Sequence, residues 1–331
     1  MTTERALTRE MSQQQAQEKG REQDRELARE MTRRAAAVCQ RADDALLAMG
    51  PERRSWTYLP GQRTGAALVD LDRGGAKAVM HLLAAGLSPH AFAQAAMVMA
   101  FEDVLDEREA GRRGRHRGDY WIAVYGTPGE PPWGWRLEGH HLSVNWTLAE
   151  DGNLRATPLF IGANPARVTD GNVTVLAPLA REEQLAVALL QALDADQRSQ
   201  AVLPGDVPGD ILSGNAASVD SLGNMDKELQ TAGVALSDLG GKAADLAGDL
   251  VAAYTGRLPA GLPANAGAGA RFAWAGGTAD GEPRYYRLQA PALLIEFDNT
   301  QTGANHVHSV VRRPGGDFGD DVLRSHRADR H

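Results

Sequence analysis

Cysteine is almost absent from this chain, which contains only Cys39 among its 331 residues. A lone thiol forms no intrachain disulfide and cannot build a multi-cysteine zinc or iron–sulfur site. Any metal site must therefore use histidine, aspartate or glutamate. The sequence also lacks an apolar run long enough to cross a bilayer, and its N-terminal segment lacks the apolar stretch of a secretory signal. These absences predict a cytoplasmic protein that does not bind membranes.

A positively charged surface is also missing, because the net charge is -8 at pH 7. A chain with this charge repels phosphates, which argues against a broad nucleic-acid surface. The one basic stretch, residues 112–117, is short and interrupted by Gly114, and its favoured interpretation is a solvated loop. Glycine-rich phosphate loops of the dinucleotide and P-loop types are absent too. We therefore expect a small-molecule substrate and no nucleic-acid partner.

The N-terminal segment, residues 1–33, is charged and rich in glutamine, with few apolar positions. It is interpreted as an exposed helix or a disordered arm, and self-association is one role that such an arm can have. Residues 34–49 have the spacing of a short amphipathic helix that stops at Gly50. Together with the rest of the chain, that helix is predicted to form a single α+β domain spanning residues 34–331. No internal repeat is evident.

Helices and strands are predicted in blocks rather than in single alternation. Two helices fall within 74–109, the second with Ser88 as its N-cap. Strand patterns then fill about 119–176, helical insertions occupy about 181–256, and strands return within 271–312. This order is typical of an α+β fold, and the turn residues between strands favour antiparallel pairing. We expect the two β-rich blocks to form one largely antiparallel sheet packed with helices.

Four of the nine histidines lie in two pairs that are far apart in sequence, His140 with His141 and His306 with His308. Alternate residues of a strand share a face, so His306 and His308 should point the same way and can bind one ion. Residues 135–148 are interpreted as one long strand or as two strands joined at Gly139. Along a continuous strand the same alternation predicts His141 on a polar row and His140 on an apolar row, unless Gly139 allows a bulge. We therefore predict His141, His306 and His308 as metal ligands, with His140 as the alternate.

Two carboxylates precede the second histidine pair, and Glu296 and Asp298 share one face of a predicted strand. Glu296 is predicted as an oxygen ligand, although either carboxylate can instead orient a ligating imidazole by accepting its hydrogen bond. Imidazole and carboxylate ligands suit zinc, iron, copper or nickel, and the residue types alone do not choose among them. The predicted cofactor is a divalent transition metal, with iron or copper favoured and zinc as the alternative.

Polar neighbours strengthen the interpretation of the histidines as a site. Arg136 and Glu138 lie just before the first pair, and Gln301 lies just before the second. We predict Glu138 as a general base, with Arg136 and Gln301 holding a small polar or anionic substrate. Each histidine pair by itself is more typical of hydrogen-bonded structural residues, so the site prediction requires that the two pairs meet in the fold.

Four interpretations of the histidines remain open. The favoured one is a metal-dependent oxidoreductase using iron or copper, because neutral imidazoles leave a bound ion cationic and open to oxygen. The second is a zinc-type metal-dependent hydrolase, in which zinc-bound water is the nucleophile. The third is a non-catalytic metal- or ligand-binding protein, and the fourth is a purely structural role in the sheet.

The chain also carries a set of short motifs rich in aromatic, glycine and histidine residues. They are WGWRLEGHHLS at 133–143, GANP at 162–165, FAWAG at 272–276, YYRLQ at 285–289, DNTQ at 298–301, NHVHS at 305–309 and GDFGDD at 316–321. In combination they resemble the bacterial family catalogued as domain of unknown function 3500, over about residues 40–326. The resemblance implies an export signal in many members, where this chain has its charged arm, and it implies no particular reaction.

Overall fold

The structure is a computed structural model that describes residues 2–217, 219, 231–259 and 266–319, with side chains from residue 18 onward. Its helices are α1 (Thr2–Cys39), α2 (Arg73–Gly86), α3 (Pro89–Arg108), α4 (Ala180–Ala192), α5 (Ala195–Ala201) and α6 (Gly241–Thr255). Its strands are β1 (Leu46–Leu47), β2 (Ala66–Ala67), β3 (Tyr120–Tyr125), β4 (Trp133–Gly139), β5 (Leu142–Leu148), β6 (Leu154–Arg155), β7 (Leu159–Ala163), β8 (Val168–Asp170), β9 (Val173–Leu176), β10 (Val234–Ala235), β11 (Arg271–Gly276), β12 (Arg284–Ala290), β13 (Leu293–Gln301) and β14 (His306–Arg312). Residues 225–230 of the predicted helical insertions and 320–331 of the predicted domain lie outside the described residues.

Twelve strands form one sheet in the order β1-β3-β4-β5-β7-β14-β13-β12-β11-β10, with β2 added to β3 and β6 added to β5. Strand β1 pairs with β3 in parallel, and the other pairs of this sheet are antiparallel. Strands β8 and β9 form a separate hairpin. The two β-rich blocks join through β7 and β14. The prediction of an α+β fold with a largely antiparallel sheet is therefore confirmed.

Helices cover one face of the sheet, and the side-chain alternation of each strand decides what faces them. On β5, Leu142 and Val144 belong to the large apolar core that includes the helices, whereas Ser143 and Asn145 alternate with them and face the opposite side. That opposite side is covered by loops, because Trp56 and Ile211 pack with the aromatic and aliphatic residues of β7 and β14 there. The polar residues of the strands therefore lie buried between sheet and loops.

The helix starts follow the expected capping chemistry. The Ser88 side chain accepts a hydrogen bond from the Ala91 backbone N–H at 3.3 Å, as predicted, and Pro89 occupies the first helical position. Asp72 caps α2 in the same way through the Gly75 N–H at 2.6 Å. These caps fix where α2 and α3 begin and so orient both helices on the sheet.

The sheet is symmetric about the β7–β14 pair. Reading outward from that pair, β7, β5, β4, β3 and β2 on one side correspond to β14, β13, β12, β11 and β10 on the other. The central strands are antiparallel, with Leu159 opposite Val311, so an approximate twofold axis passes between them. Each half also begins alike: a two-residue strand leads through a short 3-10 turn into a helix.

The strand registers support this correspondence in detail. Trp135 lies opposite Trp146 in the first half, and Tyr286 lies opposite Phe297 in the second. Both aromatic pairs belong to the apolar core under the helices. The outer edges match as well, because Leu46 forms a parallel pair on β3 and Val202 forms a parallel bridge on β11. The two halves of the chain therefore share strand order and hairpin register.

The sequence was read as having no internal repeat, and the correspondence of the two halves lies mainly in strand order and register. The clearest sequence trace is GAALVDL at 65–71 against GVALSDL at 233–239, identical at Gly, Ala, Leu, Asp and Leu. Gly65 and Gly233 share a φ of +106°, and a Cβ on either would collide with the carbonyl oxygen of the neighbouring strand. Elsewhere the halves keep apolar character and register rather than identity, which sequence inspection does not detect.

One local expectation also differs from the structure. Helix α1 already begins at Thr2 and ends at Cys39, so the segment predicted as a helix over 34–49 is helical only in its first part. Leu46 and Leu47 instead form β1, because β3 offers them a parallel partner. Residues 55–61 run as a loop over the polar face of the sheet, where Trp56 and Tyr58 pack against Phe160.

Candidate metal centre

The first histidine pair forms the turn of the β4–β5 hairpin. Gly139 pairs with Leu142, so His140 and His141 are the two residues of a tight connection rather than members of a strand. His141 adopts a left-handed φ of 62°, which is strained for a residue with a Cβ. Its backbone is held there, because its N–H donates to the Tyr58 carbonyl at 3.0 Å and its carbonyl accepts from Gly162 at 2.8 Å.

This turn corrects the expected separation of the two side chains. A strand would have sent His140 and His141 to opposite faces, but in the turn their rings lie 3.7 Å apart between centroids. Both are buried, with 8% and 2% exposure. The strained turn therefore brings two imidazoles to one place, which strand alternation excluded.

The two histidine pairs meet at the end of β14. The Nε2 atoms of His141 and His306 lie 2.7 Å apart, and those of His306 and His308 lie 3.0 Å apart. His306 and His308 share a face of β14, as strand alternation predicts. The three rings thus converge through the same type of nitrogen, and we refer to His141, His306 and His308 as the histidine triad.

Burial disfavours protonation of two members of the triad, His141 and His306. Removal from water, reinforced by the neighbouring imidazoles, holds the pKa of His141 well below its ordinary value. The same causes lower the pKa of His306 to about 3. A neutral imidazole has a free lone pair on one ring nitrogen, which is the form that binds metals. The triad is therefore ready to coordinate a cation at neutral pH.

The spacing of the nitrogens is close to that of a coordination sphere. Three nitrogens at about 2.1 Å from a tetrahedral ion lie about 3.4 Å from one another. The separations of 2.7 and 3.0 Å in the triad are somewhat shorter. Small rotations of the rings are enough to open the triad to ligand spacing, so the residues present fit a transition-metal ion.

His308 is oriented by carboxylates on its other nitrogen. Its Nδ1 lies 2.7 Å from Asp210 Oδ1 and 3.9 Å from Asp298 Oδ2. The Tyr58 hydroxyl donates to Asp210 Oδ2 at 3.0 Å. Partial burial opposes ionisation of Asp210, but the hydrogen bond with His308 holds the pKa of that carboxyl below its usual value. The ionised Asp210 directs the Nε2 of His308 towards the triad.

His140 stands beside the triad and faces a surface cavity of about 550 Å³. Its Nδ1 lies 2.5 Å from Glu102 Oε1 and 3.2 Å from the guanidinium of Arg115. The cavity wall also contains Trp121 and Arg113. This cavity therefore leads from solvent to His140, whose ring lies next to the ring of His141.

Two predicted catalytic residues lie in a separate buried network. Glu138 Oε1 is 3.0 Å from Arg136 Nε, and Arg136 also donates to the Arg53 carbonyl at 2.8 Å. Glu138 accepts a hydrogen bond from the Thr57 backbone N–H at 3.3 Å. Burial raises the pKa of Glu138, opposed by the charge of Arg136. The described contacts join this pair to the covering loop and not to the triad.

The other two predicted residues hold the loop that carries Asp210. Glu296 accepts from the backbone N–H groups of Leu212 at 2.7 Å and Ser213 at 3.0 Å, and from the Tyr285 hydroxyl at 2.7 Å. Gln301 donates to the Gly209 carbonyl at 3.4 Å. Glu296 therefore uses its carboxylate as a loop anchor and lies outside the groups that can hold an ion.

Sequence reasoning missed Asp210, Tyr58, Glu102 and Arg115. Asp210 lies in a loop rich in proline and glycine, between Pro208 and the segment that binds Glu296, and no periodicity marks it. The only available signal was an acidic residue in a long loop between the two β-rich blocks.

Comparison with known proteins places the chain in a family. Its sequence matches the family model described as "Protein of unknown function (DUF3500)" over residues 19–320. The chain belongs to this family. No curated protein and no solved structure matched it. Within the part of this DUF3500 chain that the structure describes, none of the helices combines the length and apolar character needed to span a bilayer.

Proposed function

We propose that this DUF3500 protein is a metal-dependent enzyme whose divalent transition-metal ion is held by the Nε2 atoms of His141, His306 and His308. The observation that carries the proposal is the convergence of these three atoms, at 2.7 and 3.0 Å, from two segments far apart in sequence. Two of the three rings are nearly inaccessible to solvent, and burial of this kind is unfavourable for polar groups without a partner.

The charge of the triad supports a reactive ion rather than a purely structural one. Three neutral imidazoles leave the full charge of a divalent ion in place. An ion with three protein ligands retains an open position for substrate, water or oxygen. The hydrogen bond between His308 and Asp210 adds the orienting carboxylate that accompanies many ligating histidines.

The first candidate reaction is oxidation or reduction on iron or copper. The carboxylates nearest the triad among the described residues already bind other groups: Asp210 binds His308 and Tyr58, and Asp298 accepts from Thr300. A hydrolytic reaction on metal-bound water is usually assisted by a carboxylate that takes the proton. Asp210 and one oxygen of Asp298 are engaged in this way, and the other oxygen of Asp298 faces the Nδ1 side of His308, away from the triad nitrogens, so redox chemistry is favoured.

A zinc-type hydrolase is the second candidate. The observation in its favour is the same set of three neutral nitrogens, because an ion of undiminished charge lowers the pKa of its bound water the most. Binding of an ion without catalysis is the third candidate. All three candidate functions use the histidine triad to bind an ion. They differ in which metal is bound and in whether a reaction is catalysed.

The cavity next to His140 is the proposed entry for substrate. Its wall contains two guanidinium groups, an aromatic face and two carboxylates, from Arg113, Arg115, Trp121, Glu102 and Asp119. These groups suit a small polar or anionic molecule. In this proposal Arg115 takes the substrate-orienting role that the sequence had suggested for Arg136. We propose the cytoplasm as the compartment, consistent with a free thiol at Cys39.

Elemental analysis of protein purified without an affinity tag tests the proposal. We expect iron or copper in the natural protein, loss of the triad's ion in His306→Ala, and retention in His81→Ala, which removes an exposed histidine of α2. Oxygen consumption and ester hydrolysis, measured on the same preparations, separate the first two candidates. If His306→Ala binds as much metal as the natural protein after loading, the triad is not the site.

A further inference from the structure

A second group of potential ligands lies on the far side of His308. Asp210 Oδ1, Asp298 Oδ2 and His308 Nδ1 all fall within 4.8 Å of one another. The group uses the nitrogen of His308 that the triad leaves free. Asp298 and His308 are directly opposite each other on β13 and β14, and Asp210 approaches from the covering loop.

One oxygen of this group has no partner of its own. Asp298 is fully buried, and its Oδ1 accepts hydrogen bonds from the backbone and hydroxyl of Thr300 at 3.0 and 2.6 Å. Its Oδ2 is buried without a hydrogen bond among the described residues, and it faces His308 Nδ1 at 3.9 Å. A buried carboxylate oxygen in this state is costly unless a cation or a proton satisfies it.

The charges of the neighbouring groups favour a cation at this position. Asp210 and Asp298 bring two carboxylates towards one nitrogen, at 2.7 and 3.9 Å from His308 Nδ1. Two oxygens and one nitrogen match the donor set of zinc, manganese or iron(II). A divalent ion would balance both negative charges and give Asp298 Oδ2 its missing partner.

We infer that Asp210, Asp298 and His308 Nδ1 form a second divalent-cation site, so that His308 bridges two ions. The inference rests on the proposed function, because the other ion is the one held by the triad. A neutral imidazole carries one proton on its two nitrogens. Coordination of both nitrogens releases that proton to solvent and leaves a bridging imidazolate. The centre would then have two ions, one with three nitrogen ligands and one with two oxygens and a nitrogen.

Metal stoichiometry in paired variants tests this inference. Tag-free protein is loaded with copper(II), dialysed and analysed for metal per chain, together with Asp298→Asn and His306→Ala. Asn at 298 keeps the oxygen that binds Thr300 and removes the charge. The matched control is Asp151→Asn, the same substitution at an exposed carboxylate that binds Asn153 and Arg155 in the turn between β5 and β6, outside the groups that can hold an ion. Melting curves of the metal-free forms verify folding.

The expected result is two ions per chain in the natural protein and in Asp151→Asn, one in Asp298→Asn and one in His306→Ala. Copper(II) ions bridged by imidazolate couple magnetically, so the paramagnetic resonance signal should be smaller than the copper content and should recover in Asp298→Asn. One ion that persists in Asp298→Asn but disappears in His306→Ala would overturn the second site and leave the triad standing. One ion that disappears in Asp298→Asn but persists in His306→Ala would overturn the triad and the bridge. A natural protein that binds no ion would overturn both the triad site and the second site.

Discussion

His141 and His306, separated by 165 residues, place their Nε2 atoms 2.7 Å apart. The first is held by a strained hairpin turn between β4 and β5, and the second begins β14. The contact is possible because β7 joins the two β-rich blocks, pairing with β5 on one side and with β14 on the other. The site thus depends on the junction of the two halves of the chain.

Asp210 should control the affinity of the triad for metal. We expect Asp210→Ala to weaken binding of the triad's ion about 10–100-fold, because the nitrogen of His308 loses the carboxylate that orients its ring. Titration of the metal-free protein with a competing chelator measures the change. Asp206→Ala, an exposed substitution in the same loop, should leave the affinity unchanged. Equal affinities in both variants would show that Asp210 does not orient His308.

The metal-free protein should lose stability on acidification because of the triad. The pKa of His306 is about 3 in the fold and about 6.5 in an unfolded chain. Between pH 6.5 and pH 3 the imidazole of His306 binds a proton in the unfolded state but not in the folded state. The free energy of unfolding therefore decreases as the pH falls through this range. Asp298, with a raised pKa of about 6, acts in the opposite direction below that pH.

Comparison with a variant isolates the contribution of His306. Melting temperatures of the metal-free natural protein and of His306→Gln are measured from pH 7 to pH 4. The decline should be shallower in His306→Gln, whereas His81→Gln should follow the natural protein, since His81 is exposed. Parallel curves for all three proteins would contradict a depressed pKa at His306.

The correspondence of the two halves predicts that substitution of Gly65 and of Gly233 lowers the free energy of unfolding by similar amounts. Both have a φ of +106°, and an added Cβ would collide with the backbone of Ile122 or Phe272 respectively. We expect Gly65→Ala and Gly233→Ala each to destabilise the protein by more than about 1 kcal/mol. Gly248→Ala, in α6 with open space around it, should stabilise by up to about 1 kcal/mol. Denaturant unfolding gives the three values, and tolerance at one of the two paired glycines would argue against equivalence.

A buried ion pair fastens the helices to the back of β14. Arg257 and Glu182 are both inaccessible and lie 2.8 Å apart, and Arg257 also donates to Ser309, next to His308, at 3.2 Å. Replacing Glu182 by Gln leaves the guanidinium without its counter-charge, so we expect a loss of about 3–5 kcal/mol. Glu22→Gln, in the exposed pair with Arg25, should cost less than about 1 kcal/mol. Similar losses in both variants would contradict this account.

The parts of the site that follow strand alternation could be read from the sequence. His306 and His308 share a face because β14 is regular there. The choice of His141 over His140 also agrees with the triad, although its stated reason, a continuous strand, was wrong because the two residues form a turn. The pairing of Gly139 with Leu142 is what makes His140 and His141 a turn rather than part of a strand. Gly139 marked a possible break in the strand, but the residue pattern did not specify this pairing.

Long-range packing determined the remaining parts, which the sequence could not reveal. Asp210 reaches His308 because Glu296 binds the backbone that follows it in the loop, and such a contact has no sequence signature. The regular helices and strands were recoverable from periodicity and caps, with Ser88 as an example. The short edge strand at Leu46 was not, since its conformation depends on the partner that β3 provides.

The approximate twofold axis relates the histidine turn to a second turn in the same chain that has no histidine. The turn equivalent to His140 and His141 is Pro291 and Ala292, between β12 and β13. The same hairpin thus occurs twice in one chain, once with imidazoles and once without any titratable side chain. Any property shared by both ends belongs to the scaffold, and any property confined to the histidine end belongs to its chemistry. The turn at residues 291–292 therefore serves as an internal reference for the histidine turn, under the same temperature, solvent and folding conditions.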